Sequence, residues 1–131
     1  MIEATAIIAV KNVRESALWY QKLLACRANH GGDEFEMLVD ANDSDNHLLY
    51  LHLWDAHDHP SMLKAEANAG SGIILYFSVN RFKDAWENAL ALNANIDKEP
   101  CLNENSNRQE FSLLDPDGYY LIISEKIKKV E

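Results

Sequence analysis

The sequence predicts an α+β fold made of two fused βαβββ modules in a single domain, and three observations carry that prediction. The order of hydrophobic patterns recurs: an apolar strand ending at Val10 and the helix after it return as a strand ending at Val79 and a second helix. The chain of 131 residues suits one domain, whereas either half alone is small for an independent core. Its 47% hydrophobic and 25% charged residues are the balance of an ordinary globular protein. The modules cover about 1–54 and 72–126, and residues 55–71 link them, with Gly70 and Gly72 marking the junction.

Each element follows from a local pattern. Ala6 to Val10 is an apolar run with β-branched residues, which reads as a strand, and Lys11-Asn12 ends it. Arg14 to Ala25 reads as a helix with Ala17, Leu18, Tyr20, Gln21 and Leu24 near helical spacing. Cys26 to His30 reads as a short strand before the Gly31-Gly32 turn. Phe35, Met37 and Val39 then alternate with Glu34, Glu36 and Leu38, the pattern of a half-exposed strand. Ala41 to Asn46 is a polar turn, and His47 to Trp54 is the next strand.

In the second half, Ile73 to Val79 is a strand ended by Asn80-Arg81. Lys83 to Leu92 is a helix with Ala85, Trp86, Ala89 and Leu90 on one side. The repeat reaches single residues: Val13-Arg14-Glu15-Ser16 corresponds to Phe82-Lys83-Asp84-Ala85, in each case apolar, basic, acidic and small. Ala94 to Lys98 is a short strand and Glu99 to Asn107 a loop, followed by strands at Arg108 to Leu114 and Tyr119 to Glu125. Between those two strands, Asp115-Pro116-Asp117-Gly118 has the Pro and Gly placement of a type I turn.

Charge narrows the function classes. Lys and Arg total 12 against 21 Asp and Glu, a net charge of −9, with an isoelectric point near 4.9. Such a surface repels phosphate backbones and anionic lipids, so neither nucleic acid nor a membrane is an expected partner. No apolar run approaches the ~20 residues that span a bilayer. No basic segment precedes the apolar run Ala4 to Val10, so a secretory signal is not expected. Cys26 and Cys101 lie far apart without metal-ligand spacing, which points to a reducing cytosol and a cytoplasmic protein rather than to a disulfide framework.

From Ala28 through Leu63 there is no Lys or Arg. That stretch holds Asp33, Glu34, Glu36, Asp40, Asp43, Asp45, Asp55 and Asp58, together with His30, His47, His52, His57 and His59. It reads as a solvated acidic face that keeps the protein soluble, or as a field that draws in a cationic ligand. There is no nucleophile motif around a Ser or Cys and no glycine-rich phosphate loop.

The paired βαβββ pattern, with the run Arg108-Gln109-Glu110-Phe111-Ser112-Leu113-Leu114-Asp115-Pro116-Asp117-Gly118-Tyr119-Tyr120-Leu121, resembles the vicinal oxygen chelate superfamily of glyoxalase I, bleomycin-resistance proteins and extradiol dioxygenases. The resemblance covers nearly the whole chain, and the Asp-Pro-Asp-Gly turn between two strands near the C-terminus is its most specific piece. It implies that each module curls a four-stranded sheet and that the two sheets form a cup holding a ligand. It also implies a two-fold homodimer. In the superfamily's enzymes, inward His, Gln or Glu residues from the first and last strands of each module hold a divalent ion. Counting five residues back from Val10 and from Val79, and four on from Gly118, puts three of those positions at Thr5, Ile74 and Ile122. The fourth falls on Tyr50 or His52. Isoleucine cannot coordinate a metal and a threonine hydroxyl is a poor ligand, so neither the usual metal nor any other cofactor is expected.

His57-Asp58-His59, with His52 five residues upstream, is another candidate metal set. Two histidines and a carboxylate can form a facial triad. Side chains two apart in a loop before Pro60 fix no geometry, however, so this trio reads as an exposed polar linker.

Strand parity names what lines the implied cup: Thr5, Ile7 and Ala9, then Tyr50, His52 and Trp54, then Ile74, Tyr76 and Ser78, and finally Tyr120, Ile122 and Ser124. This aromatic and aliphatic wall, with a few hydroxyls and one imidazole, suits a ligand pocket of moderate polarity. It equally suits a cup filled by its own side chains. His52 is the single catalytic candidate, an acid or base near neutral pH. Arg108 and Glu110 share a strand face, where they would meet a polar ligand group or pair with each other. Two function classes follow. One is a metal-free small-molecule-binding protein resembling the bleomycin-resistance branch, sequestering a cationic or neutral aromatic ligand. The other is a lyase, isomerase or dioxygenase with an atypical metal site, or with His52 as acid or base.

Overall fold

Two stretches of alternating apolar residues, each with one amphipathic helix, build the same unit twice. The structure, a computed structural model, describes residues 2–57, 59–63 and 72–126. The chain divides into two compact units, Met1–Asn68 and Ala69–Glu131. The first unit runs β1 (Ile7–Val10), α1 (Val13–Leu24), β2 (Arg27–Ala28), β3 (Phe35–Asp40) and β4 (Asp43–Leu53). The second runs β5 (Ile74–Val79), α2 (Phe82–Ala91), β6 (Asn95–Asn103), β7 (Arg108–Leu114) and β8 (Tyr120–Glu125). Their four-stranded sheets have the orders β1-β4-β3-β2 and β5-β8-β7-β6. β1 pairs with β4 and β5 with β8 in parallel, and the other pairings are antiparallel. Both units are therefore βαβββ modules with mixed sheets.

α1 starts where Asn12, in extended conformation, accepts the Glu15 N–H on its side chain at 3.0 Å. It ends at Ala25, which is left-handed at φ 53°. Its buried face is Val13, Ser16, Ala17, Tyr20 and Leu23. That face is rotated from the expected one: Leu18 is exposed and Leu24 half-buried. Counting from Val13, helical spacing reaches 16, 17 and 20, and Leu18 falls off this stripe. α2 buries Ala85 and Ala89 and leaves Leu90 exposed, although Leu90 was expected on the packing side. Phe82 and Trp86 close on Phe111 of β7 with ring centres 5.5 and 5.1 Å away.

Three strand boundaries differ from expectation. β4 opens at Asp43, so the turn is Ala41-Asn42 alone, with Asp40 Oδ1 accepting the Asn42 N–H at 2.9 Å. β2 is only Arg27–Ala28, shorter than Cys26 to His30. β6 continues through the expected loop to Asn103, past Pro100. A proline without an N–H is tolerated because β6 is an edge strand, and the register shifts between Lys98 and Cys101 absorb it.

β3 also inverts one reading, because its buried face carries Glu36 and Leu38 while Phe35 and Met37 are half-buried. The Glu36 carboxylate accepts the N–H groups of His30 at 2.7 Å, Gly31 at 2.8 Å and Met37 at 2.9 Å. Three backbone donors are what make a buried carboxylate tolerable. In the expected linker, Pro60–Met62 forms one 3-10 turn, and Asp55 N–H donates to Met62 O at 2.9 Å. Asp58, Gly70 and the rest of 64–71 lie outside the described residues.

The Asp-Pro-Asp-Gly turn is held from inside. Gly118 N–H donates to Asp115 O at 3.0 Å, and Gly118 adopts φ 93°. Asp115 is buried, and its Oδ1 accepts the N–H groups of Asp117 at 2.9 Å and Tyr119 at 2.8 Å. Asp115→Ala removes both charge-assisted bonds and should cost about 2–3 kcal/mol in urea unfolding. A loss under 0.5 kcal/mol would show that the turn stands without its carboxylate.

Cys26 is buried and Cys101 exposed, both as free thiols. Burial pushes the Cys26 thiol up to about 11, so it stays protonated at neutral pH. A disulfide-exchange reagent at pH 8 should modify Cys101 alone in the native protein and reach Cys26 only after denaturation. Two rapidly reacting thiols per native chain would contradict this burial.

Candidate functional site

With α1 packed on β3 and β4, and α2 on β8, each helix covers one face of its unit's sheet. Ile8, Val10, Leu49 and Leu51 are buried in the first unit, and Leu75, Phe111, Leu121 and Ile123 in the second. Alternation sends the intervening residues to the other face. The residues singled out in the sequence therefore fall into two sets, one per unit.

In the first unit, Ile7 pairs with Tyr50 and Ala9 with His52 along β1 and β4. β3 adds Phe35 opposite His52 and Met37 opposite Tyr50. Phe35 is the hub of this face, with its ring centre 5.2 Å from His30, 5.5 Å from Tyr50 and 6.4 Å from His52. The Tyr50 hydroxyl hydrogen-bonds to His47 Nδ1. Thr5 is half-buried and lies before β1 rather than in it, since the pairing ends with Tyr50 N–H on Ala6 O at 2.9 Å. Trp54 follows β4 in a turn and donates its N–H to Val10 O at 3.3 Å. Sequence reasoning passed over Phe35, although alternation along Phe35–Asp40 already put it in step with Met37.

His52 is 5% exposed. Its Nδ1 lies 2.7 Å from Leu53 O, and its buried Nε2 has no hydrogen-bond partner among the described residues. Leaving a buried polar atom unpaired costs about 1–3 kcal/mol. The linker histidines beside it are exposed, as expected, and the His57 ring lies 5.3 Å and the His59 ring 5.5 Å from that of His52. His57 and His59 are 5.9 Å apart. His57 Nε2 also lies 3.5 Å from Glu34 Oε2. Among the described residues no three His, Cys, Asp or Glu side chains are already arranged to hold an ion. His30, Gly32, Asp33, Glu34, Phe35 and His57 line an open groove of about 540 Å³.

The acidic stretch is less free than its composition suggests. Arg14 reaches from α1 to pair with Asp33, and Glu36 is committed to backbone donors. Asp40 and Asp43 cap the N–H groups of Asn42 and Asp45.

In the second unit, Ile74 pairs with Tyr120, Tyr76 with Ile122 and Ser78 with Ser124. Ile74 is 59% and Tyr76 49% exposed. The Tyr76 hydroxyl donates to Glu110 Oε2 at 2.7 Å, and Asn103 Nδ2 donates to Glu110 Oε1 at 2.9 Å. Glu110 is thus held by Tyr76 and Asn103 and makes no ion pair with Arg108, which pairs with Asn103 at the start of β7. The Tyr120 hydroxyl donates to Asp97 Oδ2 at 2.7 Å and lies 2.9 Å from Ser112 Oγ. Asn103 was missed because β6 was expected to end at Lys98, and Asp97 because nothing in the sequence displays its pairing with Tyr120. Among the described residues no helix is long and apolar enough to cross a membrane.

The same architecture is seen in solved structures. TioX from Micromonospora sp. ML1 aligns with a TM-score of 0.71 at 10% identity, over 96% of this chain and 100% of its own. A glyoxalase/bleomycin resistance protein/dioxygenase family enzyme from Burkholderia phytofirmans PsJN aligns with a TM-score of 0.75 at 16% identity, over 94% and 98%. The integron cassette protein VCH_CASS1 of V. cholerae gives 0.69 at 18% identity, over 97% and 98%. At such identities the likeness is one of fold. No curated protein matches the chain. The family model of the Glyoxalase/Bleomycin resistance protein/Dioxygenase superfamily matches residues 2–123, and the chain belongs to that superfamily.

Proposed function

We propose that the chain is a small-molecule-binding protein of this superfamily that takes a cationic or neutral aromatic ligand. It would do so without a metal at the interstrand positions, where Thr5, Ile74 and Ile122 replace chelating side chains. The observation that carries this reading is the pairing of tyrosines with carboxylates on the face of the second unit's sheet opposite α2. Tyr76 donates to Glu110 and Tyr120 to Asp97, both at 2.7 Å. With the hydroxyls so committed, each ring is fixed in orientation beside a carboxylate. A cation over such a ring gains about 0.5–2 kcal/mol, and Ile74 and Ile122 supply apolar contact beside it. The net charge of −9 assists encounter with a cation, and salt screens that assistance. The free thiols fit a reducing cytosol.

A thermal-shift panel should return cationic and neutral aromatic compounds more often than anions, with affinity falling several-fold between low and high salt. Glu110→Gln and Tyr76→Ala should each weaken a cationic hit by roughly three- to thirtyfold, in keeping with one lost ring or charge contact. Glu36 is unsuitable for such a test because it holds the His30–Gly31 backbone. Anionic hits bound equally well at high salt would reverse the reading.

Superfamily members of this length usually form two-fold dimers, and the same assembly is proposed here. Light scattering at micromolar concentration should therefore give about twice 14.9 kDa. A monomer at every concentration would contradict the dimer.

A further inference from the structure

We propose that His52, His57 and His59 form a binding site for a divalent transition-metal ion of the zinc class, a ligand set that shares at most His52 with the superfamily's interstrand positions. The starting point is the buried imidazole. Nδ1 of His52 lies 2.7 Å from the Leu53 carbonyl and so carries the proton there. Nε2 is then the bare lone pair a metal requires, and it is buried without a partner among the described residues.

The loop after β4 brings two more imidazoles to it. Asp55 N–H on Met62 O at 2.9 Å, with Met62 N–H on His59 O and His59 N–H on His57 O at 2.8 Å each, folds the loop back. The three ring centres then stand 5.3, 5.5 and 5.9 Å apart. An ion about 2.1 Å from each ligating nitrogen lies about 3.2 Å from each ring centre, and tetrahedral angles then separate the centres by about 5.3 Å. The observed spacing is thus close to that of three imidazoles around one ion.

His57 Nε2 faces Glu34 Oε2 at 3.5 Å, which leaves Nδ1 for the metal and gives the histidine an orienting carboxylate. The donors do not converge in the present ring orientations. His57 and His59 are exposed, so their rings can turn without disturbing the core. Imidazole donors select zinc, copper or nickel over magnesium or calcium. Three protein ligands leave a position for water or substrate, and His57 also lines the groove of about 540 Å³.

The test uses the full chain, purified without a metal-affinity tag and freed of metal by chelation. Calorimetric titration with Zn²⁺ should show one ion per chain, and Co²⁺ should give the visible absorption of a four-coordinate site. His57→Gln/His59→Gln, at exposed positions that leave the fold intact, should weaken Zn²⁺ at least a hundredfold, and His52→Gln should do the same. His30→Gln and His47→Gln should change affinity less than threefold. Absence of stoichiometric binding, or binding that survives the His57→Gln/His59→Gln change, would overturn the proposal. Neither result bears on the ligand reading, which rests on Tyr76 and Tyr120 in the second unit.

Discussion

Among the described residues a single helix packs on each sheet, and much of the structure follows from that. Period-2 alternation in β4 and β8 puts Leu49, Leu51, Leu121 and Ile123 on the buried face. The other face has no helix of its own unit to meet. Its residues must satisfy their polar atoms within the sheet, or offer them to a partner. The second unit takes the first course, with Tyr76 on Glu110 and Tyr120 on Asp97 and Ser112. Among the described residues on the corresponding face of the first unit, Nε2 of His52 is left without a partner.

Most of the architecture was legible because it depends on local periodicity and on the repeat. α1 and α2 open at Val13 and Phe82, positions that the tetrapeptide match Val13–Ser16 with Phe82–Ala85 had already aligned. Parity grouped Ile7, Tyr50 and His52 with Ile74, Tyr76, Tyr120 and Ile122 as the lining of one cup, and within each unit the ladders pair Ile7 with Tyr50, Ile74 with Tyr120 and Tyr76 with Ile122. What failed depended on context that a sequence does not display. Pro100 stops a central strand but not an edge strand, and only the order β5-β8-β7-β6 makes β6 an edge. Glu36 looked solvent-facing because its three backbone donors are invisible in composition.

The histidine trio shows where a spacing argument stops. Two side chains two residues apart in a loop carry no fixed geometry of their own. Here the geometry is imposed by backbone bonds closing Asp55 on Met62, and by a strand residue against which the loop rests. A spacing rule is a statement about regular structure, so it has nothing to say where the chain turns back on itself.

The two units share a scaffold and have diverged in chemistry. Five residues before Val10 and Val79 stand Thr5, just ahead of β1, and Ile74, the first residue of β5, and neither can replace a chelating side chain. Loss of ligands at those positions removes one way of using a metal, but it does not remove imidazoles elsewhere. All five histidines lie between Ala28 and Leu63, and three of them gather at the end of β4, while the second unit has none. An acidic, histidine-bearing first unit and a tyrosine–carboxylate second unit are two different surfaces built on one repeat. Each is available because the helix that stabilises the unit covers only one side of its sheet.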